Sequence, residues 1–421
     1  MRLRNTIAVL LIGLPQPLAA QTSELLSELT TSNPVVRAAR QEADAARADL
    51  WAARGQALPQ LSVTAQTGRI EETLRLQGLA TEFSGTRDPL GAQAAIEQPL
   101  FTSGRLGGSI SAAKAEADRA ESLFDAVRQD ITLEGATAIA DVVRDRAILS
   151  ERALNDALAR DRLEETKARI GAGLATQTDL RQAEARAAQA AAELALAESA
   201  LARAQAAFEQ LFGFGAPAEL SMPQFGNALP ESLEDALARA RTANPTLSAS
   251  EEAARSARML VRAERGRYLP QVSLNAAAAY VENERFGEAL GEAEQYSVTI
   301  NGRWDLFSGG SNLARTRAAK RRAAAADDRA LDTDRRLREQ TISAWNAVVS
   351  GQAVVAAREA QSTAAVIAAE GVAAEFRSGR RTRLDVLDAD REKADAEVGL
   401  IAAERDLTVA TFTLARLIGA L

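Results

Sequence analysis

The 421-residue sequence predicts a mainly α-helical chain that also carries membrane β-strands and is written twice on one plan. Three observations predict it. The sequence repeats itself at nearly constant offset. Each copy contains a proline-free stretch of more than a hundred residues, broken once by a glycine turn. A ten-residue segment alternates apolar and polar side chains, with aromatic residues gathered around it.

The chain opens on what reads as an export signal over residues 1–20. Arg2 and Arg4 precede an apolar run from Ile7 to Leu14 that is too short to span a bilayer, and small residues follow at Ala19-Ala20. Cleavage after Ala20 leaves about 400 residues outside the cytoplasm and takes the net charge from −7 to −9, because the signal holds two arginines and no acid. An acidic balance argues against nucleic acid as a partner.

The duplication follows. Asn33-Pro34 returns as Asn244-Pro245, and Arg54-Gly55 with Leu58-Pro59-Gln60 returns as Arg265-Gly266 with Leu269-Pro270-Gln271. The offset is 211, with 13 identities in the 30 positions from 33 to 62. Beyond the first hairpin it becomes 206, so that Leu100-Phe101 matches Leu306-Phe307 and Gly213 matches Gly419. The first repeat runs over 21–213, with a β-hairpin at about 58–101 and helices at about 105–171 and 176–212. Residues 214–243 link it to the second repeat, 244–421, with a hairpin at about 269–307 and helices at about 311–377 and 382–418.

The helices follow from composition and punctuation. No proline occurs from Leu100 to Ala216 or after Pro270, and both stretches are rich in Ala, Leu, Arg and Glu. Gly171-Ala-Gly173 and Gly379 interrupt them. Thr176 to Asp179 and Thr382 to Asp385 then have the spacing of a capping box, which restarts a helix after a turn. A helix of about 67 residues spans roughly 100 Å and cannot wrap around a compact core. Leu400, Leu407, Leu414 and Leu421 recur every seven residues, as do Leu194, Leu201 and Phe208, which is the period of coiled-coil packing.

Between helices the period changes to two. Tyr296, Val298, Ile300, Gly302 and Trp304 alternate with Ser297, Thr299, Asn301, Arg303 and Asp305. One apolar face and one polar face over ten residues suit a transmembrane barrel strand, with lipid on one side and water on the other. All three tyrosines and one of three tryptophans lie between Tyr268 and Phe307. Tyr268, Trp304 and Phe307 fall at one end of this hairpin and Tyr280 with Tyr296 are expected at the other, forming two interfacial girdles. Leu61, Val63 and Ala65, and Ala92, Ala94 and Ile96, alternate in the first copy. Four strands cannot close a barrel, so oligomerisation is required.

Composition excludes much chemistry. The chain has no cysteine and no histidine. Disulfides, thiolate or imidazole metal sites, Ser-His-Asp triads and a lipid-anchored N-terminal cysteine are therefore impossible. No P-loop or dinucleotide fingerprint occurs, so neither a cofactor nor enzymatic activity is expected. A carboxylate-pair hydrolase built on Asp385 and Asp388 has no aromatic sugar cleft beside it, with aromatics only 4% of the chain.

This plan resembles the TolC family of outer-membrane efflux and secretion channels over essentially the whole mature chain. The most specific match is Gly-x-Arg-Thr-x-x-Asp-Val-Leu-Asp-Ala at Gly379 to Ala389. The resemblance implies a homotrimer in the outer membrane of a Gram-negative bacterium, with a twelve-stranded barrel continuous with a coiled-coil helical barrel in the periplasm. It implies a periplasmic adaptor and an inner-membrane pump or ABC transporter as partners, outer-membrane lipid around the barrel, and residues 214–243 in a belt around the tunnel. By position, Asp385 and Asp388 match the family's periplasmic constriction, where the resemblance implies a site of divalent block. Arg381 and Asp179 match a gate latch on the tip turns Gly171, Gly173 and Gly379. Phe376 replaces the latch tyrosine of the type member.

The two repeats divide these residues. Asp179 and Asp385 also serve as partners of the helix caps Thr176 and Thr382. Asp388 lies one turn further on and has Gln182 as its counterpart, so capping does not account for it. Arg380 and Arg383 read as solvated tip residues. The alternative to a channel is a periplasmic coiled-coil scaffold or adaptor without a barrel, which explains the helices but not two aromatic-flanked hairpins.

Overall fold

A computed structural model describes residues 18–75, 82–226, 228–286 and 289–421. The expected export signal lies outside the described residues except for its last three positions, where the first helix begins. The chain divides into two compact units. One consists of Gln41–Leu123 and Ser248–Thr333 and holds the strands. The other, helical, holds Phe124–Leu247 and Asp334–Leu421 together with the N-terminal segment up to Arg40.

Eight helices form among the described residues, and the four longest occupy the proline-free stretches. In chain order they are α1 (Leu18–Ser32), α2 (Pro34–Gly55), α3 (Arg105–Gly171), α4 (Gln177–Phe212), α5 (Leu233–Ala243), α6 (Pro245–Gly266), α7 (Ser311–Arg377) and α8 (Arg383–Leu417). α3 and α7 both have 67 residues, and α2 and α6 both have 22. The helix α5 lies within the segment 214–243.

The repeated Asn-Pro has a double task. Proline suits the first helical turn, where its missing N–H costs nothing. Asn33 Oδ1 accepts the Val35 N–H at 2.8 Å, while its Nδ2 donates to the Leu211 carbonyl of α4 at 3.1 Å. Asn244 repeats this with the Leu247 N–H at 3.0 Å and the Leu417 carbonyl of α8 at 3.0 Å. Each side chain caps one helix and ties it to the end of the long hairpin of its own repeat.

The helical cores also repeat. Phe208 is fully buried against Ile139 and Val142, and Leu414, its equivalent, is fully buried among Leu337, Val348 and Leu247. Along α4 the buried positions Ala183, Ala190, Ala197 and Ala204 recur every seven residues, interleaved with Ala187, Leu194, Leu201 and Phe208. Alternation of three and four is the coiled-coil seam, and alanine along it permits close helix approach.

The strands are β1 (Gln60–Thr67), β2 (Ile70–Arg75), β3 (Glu82–Arg87), β4 (Leu90–Phe101), β5 (Gln271–Phe286) and β6 (Ala289–Arg303). Four form one antiparallel sheet in the order β1-β4-β5-β6, so the two repeats meet where β4 pairs with β5. β2 and β3 form a separate two-stranded ladder, which raises the strand number from the expected four to six among the described residues. Gly68-Arg69 and Asp88-Pro89 separate the ladders, because Pro89 has no N–H to donate and only its carbonyl is used, by Gly68 at 3.3 Å.

Register assigns the faces. Partners such as Leu61 and Ile96, Ala94 and Ala278, Ala276 and Val298, and Ala278 and Tyr296 stand directly opposite, so they share one side of the sheet. That side carries Leu61, Val63, Ala92, Ala94, Ile96, Leu274, Ala276, Val298 and Ile300. Ser62, Thr64, Gln93, Ser273, Asn275, Thr299 and Asn301 occupy the other. The apolar side is open, with Tyr296 78%, Val298 73% and Ile300 69% exposed.

The second hairpin corrects one expectation. Tyr280 and Tyr296 stand part-way along it, opposite Glu294 and Ala278, and β5 continues six residues beyond Tyr280, to Phe286. From Gln271 to Tyr280 the strand has the length of a tilted transmembrane strand, and the remainder adds about 20 Å.

Close approach dictates two neighbouring glycines differently. A Cβ at Gly108 of α3 would stand 2.6 Å from the Ala263 nitrogen of α6, whereas one at Gly107 meets nothing within 4 Å. Gly108→Ala is expected to lower stability by about 1–3 kcal/mol, as overpacking against backbone does. Gly107→Ala should be neutral or slightly stabilising. Melting temperatures of the two variants check this; equal values would contradict the close approach.

Candidate functional site

The glycine turns and the starts of α4 and α8 form two equivalent constructions. Gly173 (φ +73°) and Gly379 (φ +76°) occupy the left-handed region, where a side chain would be strained. At the first turn the Leu174 N–H donates to the Arg169 carbonyl and Gly173 to Ile170; at the second Arg380 donates to Glu375 and Gly379 to Phe376, all at 2.8–2.9 Å. These bonds close each long helix with the same pair of reversed contacts.

Capping boxes then restart the chain. Thr176 Oγ1 accepts the Asp179 N–H at 3.2 Å, and Asp179 Oδ2 accepts the Thr176 N–H at 2.8 Å and its hydroxyl at 2.7 Å. Thr382 and Asp385 repeat this at 3.3, 2.9 and 2.9 Å. The backbone N–H of the threonine, followed by its hydroxyl, holds each carboxyl below its ordinary value. Asp385 thus spends one oxygen on the cap.

The basic run is less alike than its sequence suggests. Arg381 donates to Glu375 at 2.8 Å, within its own turn. Within the chain Arg381 is therefore bonded to Glu375 and Asp179 to Thr176; the structure does not bring Arg381 and Asp179 together. Arg383 is not a solvated residue. Its side chain is only 16% exposed, and its guanidinium forms a fork with both carboxylate oxygens of Glu165 on α3, one bond at 2.6 Å. The same guanidinium lies 5.4 Å over the Phe376 ring, and Arg169 lies 6.0 Å from it. Phe376, lacking a hydroxyl, takes part as an aromatic face. The Arg383 bond is the main reason that the Glu165 carboxyl lies below its ordinary value.

Asp388 has a partner that sequence reading missed. Arg186 of α4 donates to its Oδ1 at 2.7 Å, with the Asp388 side chain 51% exposed. A signal was present: position 186 is Arg where its equivalent 392 is Glu, while position 182 is Gln where its equivalent 388 is Asp. The pair belongs to a series that joins the first repeat to α8. Arg162 meets Asp390 at 3.7 Å, Arg152 meets Asp395 at 2.9 Å, Asp141 meets Arg405 at 2.8 Å and Asp130 meets Arg416 at 2.6 Å. Each exposed pair contributes little alone. Together they define one sliding register of α8 against the first repeat. Among the described residues no cluster of three acids is able to bind a metal ion.

Comparison with known proteins fits this architecture. The family model described as "Outer membrane efflux protein" matches residues 25–214 and 236–420. The chain belongs to the outer membrane efflux protein family. Its two matched segments overlap the two repeats, the second beginning within α5. As a member it is an outer-membrane efflux protein, in a family of transport channels rather than enzymes. Outer membrane efflux protein BepC of Brucella suis is 28% identical over 335 residues, covering 80% of this chain and 72% of the relative. Outer membrane protein TolC of Vibrio cholerae is 26% identical over 412 residues, covering 96% and 91%. The solved outer membrane protein VceC of Vibrio cholerae shares the fold with a TM-score of 0.81 at 20% identity, covering 95% of this chain and 96% of that one.

Arg383→Gln should release the start of α8 from α3 without removing the cap, which Thr382 and Asp385 supply. Amide exchange over residues 376–384 is expected to speed up at least several-fold, and unchanged exchange would remove the fork from the account. Because the Glu165 pKa is lowered from 4.5, the link is fully present above that pH and is lost as the pH falls through the lowered value.

Proposed function

We propose that three copies of this chain form an outer-membrane exit duct whose periplasmic tip is gated. The reading rests above all on the four-stranded sheet. It exposes an apolar face, presents a polar face on the other side, and ends in two unpaired edges, β1 and β6. Unpaired edges are not tolerated in hydrocarbon, and four strands are too few to close. Three copies supply twelve strands, an even number within the range of outer-membrane barrels. The scaffold reading leaves the open apolar face without a purpose.

The chain has no nucleotide motif, so energy must come from a partner. An inner-membrane pump or ABC transporter, reached through a periplasmic adaptor, supplies it. Both efflux and secretion suit such a passive duct.

At the tip, Arg381 with Asp179 forms a latch between protomers, competing with the Glu375 bond that Arg381 makes within its own turn. Asp385 and Asp388 stand three apart at the start of α8 and form the constriction. Threefold repetition turns each into a ring of carboxylates, which favours cations and can bind divalent ions. Arg186 neutralises Asp388 in the single chain, and its release is part of opening.

Two experiments test this. The chain lacks cysteine, so Ser62→Cys on β1 combined in turn with Ser297→Cys, Thr299→Cys or Asn301→Cys on β6 reports only the new pair. One register is expected to give covalent trimers on denaturing gels; monomers at every register would contradict edge-to-edge closure. In planar bilayers, Asp388→Asn should raise conductance and weaken divalent block, whereas Arg186→Gln should strengthen that block. No change in either variant would take Asp388 out of the constriction.

A further inference from the structure

At the helix side of the sheet the charge balance of this acidic chain reverses. The first turns of α7, from Ser311 to Ala326, carry five cations and no carboxylate. Arg315, Arg317, Lys320, Arg321 and Arg322 are all exposed, and so is Arg265 in the last turn of α6. The carboxylates nearby are already engaged. Glu264 is held by Arg267, Asp305 by Arg303, and Asp327 by Arg258. Among the described residues none of the six cations has a carboxylate partner.

Architecture alone does not call for them. The first repeat has Ser109, Ser111, Lys114, Ala115 and Glu116 at the positions of the five α7 cations. Their place in the fold is defined by two contacts. Asn312 at the start of α7 donates to the Arg267 carbonyl at 3.4 Å, and the Trp304 indole donates to the Tyr268 carbonyl at 3.0 Å. Tyr268, Trp304, Leu306 and Phe307 are exposed there, as an interfacial girdle requires. Passing outward from the apolar face of the sheet, the chain thus presents aromatics and then cations. Arg315 lies about 6 Å along α7 from Ser311 and Arg322 about 17 Å. The nearer cations fall within a Debye length of a headgroup layer at that girdle, and the farther ones reach towards it along their flexible stems.

We propose that Arg265, Arg315, Arg317, Lys320, Arg321 and Arg322 form a docking collar for anionic phospholipid headgroups in the leaflet at the helix side of the sheet. The proposal rests on reading the sheet as membrane-spanning. Each cation near such a surface favours anionic lipid by about fivefold.

The test returns the purified full chain to vesicles of phosphatidylcholine with and without phosphatidylglycerol, then extracts it with a polymer that retains the surrounding lipid. Phosphatidylglycerol should be enriched around the wild-type chain at low salt and not at high salt. The combined Arg315→Gln, Arg317→Gln, Arg321→Gln and Arg322→Gln variant should lose at least about fivefold of that enrichment, and the matching lysine variant should keep it. Equal enrichment in wild type and glutamine variant overturns the collar. So does a shift of channel ion selectivity without a change in bound lipid, which would place the cations in the lumen. Should the glutamine variant not fold, the wild type decides alone: absence of salt-sensitive enrichment overturns the proposal. Failure to insert into either vesicle overturns the membrane-spanning reading, and the collar with it.

Discussion

Two unpaired strand edges are the constraint from which the rest of the protein follows. A sheet of four strands leaves β1 and β6 each with a row of backbone donors and acceptors and no partner, in a solvent that offers none. The apolar face formed by Val63, Ile96, Ala276 and Val298 commits the sheet to that solvent. Duplication provides half of the answer, because β4 of one repeat pairs with β5 of the other over eleven residue pairs. In the proposed duct, further copies of the chain provide the remainder.

The helical unit uses the duplication differently. Asn33 and Asn244, Thr176 and Thr382, Gly173 and Gly379, and Phe208 and Leu414 perform matched tasks in the two repeats. Among the side chains that differ between the repeats, several link the repeats rather than build them. Arg383 reaches Glu165, Asp388 reaches Arg186, and Asp395 and Arg405 reach Arg152 and Asp141. A tip assembled from equivalent turns and held by non-equivalent charges can alter its contacts without losing its helices.

What the sequence disclosed was what local chemistry decides. Proline, glycine and Thr-x-x-Asp bound the long helices because each acts within one turn of itself. Alternation at Tyr296 to Trp304 disclosed a strand for the same reason. What stayed hidden depends on distance along the chain. Arg383 read as solvated because its carboxylate lies 218 positions away, and Arg186 went unnoticed because Asp388 lies 202 positions away. The β2–β3 ladder and the length of the second hairpin escaped because alternation fades where a strand leaves the apolar layer. The asparagine of Asn-Pro showed up as a marker of repetition, while its bond to the end of the long hairpin needed coordinates.

The central claim, that the open sheet is closed by two further copies, is tested most directly by native mass spectrometry of the detergent-extracted protein. The account predicts a particle with the mass of three chains, stable until the sheet unfolds. A particle of one chain, or of a number whose strands do not make the twelve-stranded barrel, would contradict it.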